Sequence, residues 1–166
     1  MPKIYLSPST QEYNSYVTGA GSEESFMNLL ADAMEPILLL NGIQFSRNTP
    51  DMTAASSIRQ ANAGQYDFYL ALHSNASGPS AEAGAGAFSP STIPPAPTAP
   101  GGGAVRGKPP GHLPPAGEGV HTGHRLSGEI RQPRFPSVLL ELGYHDNPDD
   151  ALWIQENIPA SPPIWC

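Results

Sequence analysis

Among its 166 residues the chain has one cysteine, Cys166, at the last position. An internal disulfide and a thiolate metal site are therefore excluded, and any metal must be held by nitrogen and oxygen donors. Positive charge is also scarce: 8 Lys and Arg stand against 15 Asp and Glu, giving a formal net charge of −7 and a pI near 5.0. That balance argues against nucleic acid or anionic lipid as the main partner. Long apolar runs are missing too, the longest lying near Pro36 to Leu40, whereas a membrane-spanning helix needs about 20 residues. Met1-Pro2-Lys3 leads straight into a short strand rather than a secretory leader, so export is expected to use another route or a leader outside this sequence. The length suits one domain with a real core.

What the chain does contain is a regular alternation of strands and helices. Lys3-Ile4-Tyr5-Leu6 reads as a strand broken at Ser7-Pro8-Ser9, with a polar loop to Gly21. Ser22 reads as an N-cap, Glu23 and Glu24 fall in the first turn, and Phe26, Leu29, Leu30, Met34, Ile37 and Leu38 recur at helical spacing. Asn41-Gly42 ends that helix, and Ile43 to Arg47 forms a second strand. A weaker helix spans about Thr53 to Ala63, and Phe68 to Ser77 is a buried-type strand carrying His73 at its tip. Ser137 to Leu142 is another apolar strand, with Glu141 near its end; Asn147 and Pro148 then start a last helix. The β-α-β-α-β order predicts an α/β fold, an open and mostly parallel sheet with helices on both faces.

From about Gly78 to Gly119 the sequence is dominated by Pro, Gly and Ala, with almost no apolar periodicity. Such composition cannot bury enough surface to offset chain entropy, so an irregular segment is expected over residues 78–125 and a disordered tail over 159–166. His112, His121 and His124 fall in this stretch and read as accidental residues rather than ligands.

In an open parallel sheet the strand C-termini share one edge, where ligands bind. That edge gathers the loop after Leu6, the helix start at Glu24, and the strand tips at His73 and Glu141. An imidazole and a carboxylate suit Zn²⁺, which in catalytic sites takes three protein ligands and keeps a position for water. A second carboxylate off the metal can move the proton. Glu24 and His73 are the expected metal ligands and Glu141 the expected general base and acid. The bland alternatives are favourable charge at a helix N-terminus for Glu24, a capped strand end for His73, and a turn residue for His145. An acid inside the Val138-Leu139-Leu140-Glu141-Leu142 strand is harder to explain without a partner.

Lys3 to Ser9, Glu24 with Asn28 four positions on, Ala71-Leu72-His73-Ser74-Asn75-Ala76, and Pro136 to Tyr144 together resemble the zinc-dependent N-acetylmuramoyl-L-alanine amidases. The resemblance covers roughly residues 3–77 and 126–158 and makes residues 1–158 a catalytic domain. It implies zinc on Glu24 and His73, catalysis by Glu141, and hydrolysis of the amide between N-acetylmuramic acid and L-alanine. Peptidoglycan is then the partner, and the bacterial envelope or exterior the location. The family's first zinc-binding His, in a Gly-His-Gly-Gly turn, is missing: Ser7 to Glu12 occupies that turn. His145, on the same sheet edge as Glu141, is the expected substitute, with Glu12 next and Gln11 as a polar neighbour.

The Pro/Gly-rich middle stands where the family has a strand, a long helix and a short strand. Its length suits them and its composition does not, so residues from about Gly84 to Arg125, and again from Pro159, read as a shifted frame. Rival functions are a wall-binding module that does not cut, a zinc peptidase acting on the stem peptide, and a structural remnant.

Overall fold

A computed structural model describes residues 1–76, 89–93 and 127–158. Its strands and helices alternate, in the order β1 (Lys3–Pro8), α1 (Glu23–Leu40), β2 (Gln44–Arg47), α2 (Ala54–Ala63), β3 (Phe68–Asn75), β4 (Ser89–Ile93), α3 (Gly128–Arg131), β5 (Ser137–Tyr144) and α4 (Pro148–Asn157). The five strands form one sheet in the order β2-β1-β3-β5-β4. Pairings β1 with β2, β1 with β3 and β3 with β5 are parallel, and only β4 runs antiparallel at the edge. The predicted α/β architecture is thus present. β4 lies inside the stretch expected to be irregular, and its backbone pairs with Ser137 to Glu141 of β5. The rest of residues 77–126 and the tail from 159, including the inferred frame shift, lie outside the described residues.

Local chemistry sets the helix limits. Ser22 and Thr53 each begin a helix with a capping box, in which the cap hydroxyl accepts from the N3 backbone and the N3 serine hydroxyl accepts from the cap backbone. Asn147 caps α4 by accepting from the Asp149 and Asp150 amides, with Pro148 at the first helical position.

Strand alternation splits the core into two layers. Leu6 and Leu72 face α1 and α4, packing with Met27, Ala31, Ala151 and Ile154. Tyr5, Tyr69 and Ala71 face the other way, onto Ile58 and Ala61 of α2 and Ile130 of α3. Helices therefore cover both faces, as a doubly wound sheet requires. Arg47 ties β2 to α1 through Asp32 at 2.6 Å, Glu35 at 2.8 Å and the Asn28 side-chain oxygen at 2.7 Å. Asn28 thus helps tie α1 to β2.

The chain leaves β1 through α1 towards β2 on one side and returns through α2 to β3 on the other. The strand order reverses between β1 and β3, and the C-terminal ends on either side of that switch point are Ser7-Pro8 and His73. Crevices outside such a point are where open α/β sheets bind ligands. No helix among the described residues is long and apolar enough to cross a membrane.

Candidate active site

His73 sits at the rim between the two layers and is engaged from both. Its Nδ1 lies 2.7 Å from Glu23 Oε1, at the start of α1, and its Nε2 lies 2.7 Å from Glu129 Oε2, in α3. Both carboxylates are buried, Glu23 at 1% exposure and Glu129 at 4%. Two ionised groups so shielded would be costly unless paired. Burial alone disfavours a charged ring at His73, but hydrogen bonds from Glu129 and Glu23 and their negative charge outweigh it and push the imidazole up to about 10. Burial likewise works to raise Glu23 and Glu129, yet the hydrogen bond and charge of His73 hold both below the usual carboxylate range. Each ring nitrogen thus faces its own carboxylate, and the pairing favours a charged ring between two ionised acids.

Each carboxylate is oriented by further donors. Asn14 Nδ2 donates to Glu23 Oε2 at 2.7 Å, and the Ser74 amide reaches Oε1 at 3.4 Å. Glu129 Oε1 accepts from the Ser7 hydroxyl and from the Tyr69 hydroxyl, each at 2.8 Å. Tyr69 is raised well above the ordinary phenol range by burial and then by the charge of Glu129, so it stays a donor.

Glu141 stands directly across from His73 in the β3–β5 register. In-register neighbours on adjacent strands share a face, with side chains roughly 5 Å apart at their base. Burial first, and then the negative charges of Glu23 and Glu129, raise Glu141 to about 7 against the opposing pull of His73. Its Oε2 is buried without a hydrogen-bond partner among the described residues.

The sequence-predicted residues fall as follows. His73 and Glu141 are brought together. The helix-start acid that reaches His73 is Glu23, whereas Glu24 is partly exposed. Successive helical residues point about 100° apart, so only one of two adjacent acids can face the strand tip. His145 is buried one step further along the rim, its Nδ1 3.1 Å from the Ser74 carbonyl and its ring stacked 5.7 Å from Tyr16. Ser74 thus stands between it and His73. Glu12 is exposed beside Tyr13, while Gln11 Nε2 comes within 3.4 Å of His73 Nδ1. Sequence reasoning passed over Glu23 and Glu129. The second follows Ser127, which caps the short α3, and that cap was the one local sign of structure there.

Among the described residues the donor types around His73, one imidazole, three carboxylates and a buried Glu141 oxygen with no hydrogen-bond partner, are those a divalent cation takes. Among the described residues, however, no three His, Cys, Asp or Glu side chains are gathered as a metal-holding group. Each ring nitrogen is instead matched to its own carboxylate.

No family model and no curated protein matches the chain. Solved structures do. An N-acetylmuramoyl-L-alanine amidase of Nostoc punctiforme, AmiC2, is similar with a TM-score of 0.64 and 10% identity, covering 94% of this chain and 87% of that one. The catalytic domain of CwlV, an N-acetylmuramoyl-L-alanine amidase from Bacillus (Paenibacillus) polymyxa var. colistinus, gives 0.60 at 16% identity over 93% and 87% of the two chains. An N-acetylmuramoyl-L-alanine amidase from Clostridium difficile 630 gives 0.60 at 13% identity over 94% and 87%. The fold is that of these amidases.

Proposed function

We propose that this chain is a zinc-dependent N-acetylmuramoyl-L-alanine amidase acting on peptidoglycan in the bacterial envelope or exterior. The observation that carries the reading is His73, flanked by two buried carboxylates and faced by Glu141 at the switch point of an amidase fold. Zinc would be held by His73 and Glu23, the latter in place of Glu24, with His145, beyond Ser74 on the rim, as the further candidate donor. When bound it supplies Lewis-acid polarisation of the amide carbonyl and of water.

The chain's own residues supply the rest. Glu141, near 7, is balanced to accept a proton from the attacking water at one pole of neutrality and to return it to the leaving L-alanine amine at the other. Asn14 and the Ser74 amide keep Glu23 in place. The acidic balance of the chain, −7 overall, is consistent with a glycopeptide substrate rather than nucleic acid. Residues 1–158 form the catalytic unit in this reading.

Digestion of purified muropeptides tests it. The expected result is release of the lactyl acid and of a stem peptide with a free L-alanine amine, abolished by chelator and restored by zinc. Cleavage at another bond, or cleavage indifferent to chelator, overturns the assignment. A second reading, a wall-binding relative that does not cut, is favoured by the pairing of both His73 nitrogens with carboxylates. It predicts muropeptide binding with no new amine.

A further inference from the structure

We propose that the turn from Gln11 to Asn14 is a sugar-binding rim of the site, on which the Tyr13 ring carries one apolar face of a neutral glycan strand. The proposal rests on the amidase reading above and extends it to the half of the substrate that the proton chemistry leaves unheld. Tyr13 is 89% exposed in the loop between β1 and α1, although a ring of this size is ordinarily drawn at least partly into contact. Val17, farther along the same loop, is 52% exposed. Its amide donates to the His145 carbonyl at 2.9 Å, so it too lies on the rim. The exposed Ile37, Leu39 and Leu40 belong elsewhere, at the end of α1 that leads to the start of β2, level with Lys3 and away from the strand tips.

Local hydrogen bonds make the turn a fixed support. The Asn14 amide donates to the Gln11 carbonyl at 3.3 Å and Asn14 Nδ2 to Gln11 Oε1 at 3.0 Å, which closes the turn with Glu12 and Tyr13 at its two central positions. Those two are not residues that a turn selects for its own geometry, which are Gly, Pro, Asn, Asp and Ser. Both ends are rooted in the site. Gln11 Nε2 comes within 3.4 Å of His73 Nδ1, and the Gln11 amide donates to the buried Ser9 hydroxyl at 3.2 Å. Asn14 accepts from the Glu23 amide on its carbonyl at 2.8 Å and donates to Glu23 Oε2 at 2.7 Å. Tyr13 is therefore two residues from a side chain that reaches His73 and one from a residue that holds Glu23, with its own ring in water. A ring with only two side-chain torsions, on a backbone already ordered, loses little freedom when a ligand covers it.

The surroundings select the ligand. A pyranose of gluco configuration has hydroxyls around its edge and C–H bonds on its faces, so an aromatic ring takes the face while a carboxylate accepts from the edge. Glu12, beside the Tyr13 hydroxyl, supplies that acceptor. The same carboxylate, with Glu23 and Glu24 at the helix start and a net charge of −7 on the chain, repels anionic groups and favours the neutral sugars over the acidic groups of a stem peptide. A peptide amine also suits a tyrosine beside a carboxylate, but a cation over so exposed a ring keeps its water and gains little. A sugar face removes apolar area from water on both partners.

Chitotetraose, a neutral oligosaccharide of N-acetylglucosamine, tests the proposal without turnover when titrated into the full chain in the presence of chelator and followed by aromatic ¹³C NMR. The wild type is expected to bind it with a shift of the Tyr13 ring resonances. Tyr13→Ala should bind about 3- to 10-fold more weakly, and Tyr13→Phe, which keeps the ring, should retain most of the affinity. On muropeptide with its glycan attached, Tyr13→Ala should raise KM by a similar factor and lower kcat less, while Leu40→Ala, at the far end of α1, serves as the control. No binding by the wild type, or equal affinity in Tyr13→Ala, overturns the sugar rim. Loss of affinity for free stem peptide in place of the oligosaccharide overturns it as well and assigns the ring to the peptide. Muropeptide cleavage with an unchanged KM in Tyr13→Ala leaves the amidase without the rim, whereas chitotetraose held through Tyr13 by a chain that releases no amine leaves the rim without the amidase.

Discussion

Glu141 carries the sharpest residue-scale expectation. A carboxyl raised to about 7 must lose its proton before it can accept one, so kcat/KM should rise with pH across that range. A cation nearby would lower the value, which places the acid limb at or below neutrality. Glu141→Gln should cut kcat by about 10²- to 10⁴-fold, abolish the limb and leave zinc content unchanged. An unchanged pH profile in that variant would show that another group moves the proton. At the same scale, the sequence pointed to Glu24 as the acid beside His73, whereas Glu23 is the one that reaches it. Glu23 and Glu24 are chemically identical, and only the rotational setting of α1, fixed by the Ser22 cap and by the buried Phe26 and Met27, turns Glu23 inward.

Among the elements, the end of β5 repays attention to Gly143. The β3–β5 register shifts after His73 and Glu141, so that three steps on β5 match two on β3 and Asn75 comes opposite Tyr144. Gly143 absorbs the extra residue with φ of +66°, a left-handed conformation that other residues adopt at a cost. An added Cβ would also come 3.4 Å from Asp150 Oδ2 and Ile154 Cδ1 of α4. Gly143→Ala is therefore expected to destabilise by roughly 1–3 kcal/mol and to disturb Glu141 two residues upstream. Denaturant unfolding with an activity assay checks this; a fully stable and active variant would show that the bulge is not constrained. The helices and the parallel strands were legible from periodicity and caps. α3 and β4 were not: one is too short to show a period, and the other lies in a Pro- and Ser-containing stretch whose pairing is supplied by β5.

For the whole molecule, the buried charge cluster predicts how stability follows pH. In metal-free protein His73 goes from an ordinary 6.5 when unfolded to about 10 when folded, so its contribution is complete below 6.5 and is lost as pH rises towards 10. Glu23 and Glu129, lowered from 4.5, contribute above that value and lose their contribution as pH falls beneath it. Glu141, raised from 4.5 to about 7, costs stability as pH climbs between the two. Metal-free protein should thus be most stable on the acid side of neutrality and weaken steadily above it. Zinc held at this cluster, as proposed, would compete with the same protons, so the Tm gain from zinc over chelator should widen between about pH 6 and about pH 9. Melting curves with and without chelator measure the gap, and a gap that narrows would argue against a cation at this cluster.

By itself the sequence determined the fold class and put His73 and Glu141 near the C-terminal ends of two strands that the structure pairs in register, because strand tips and period-two burial are local patterns. Tertiary structure alone decided that Glu23 replaces Glu24 against the ring, that Glu129 closes the other side, and that His145 turns to Ser74. Those three outcomes depend on long-range packing: residues 23, 73 and 129 meet only after two helices have docked on opposite faces of the sheet. Which buried carboxylate finds a partner is set by that docking, since an unpaired charge there would be too costly to keep.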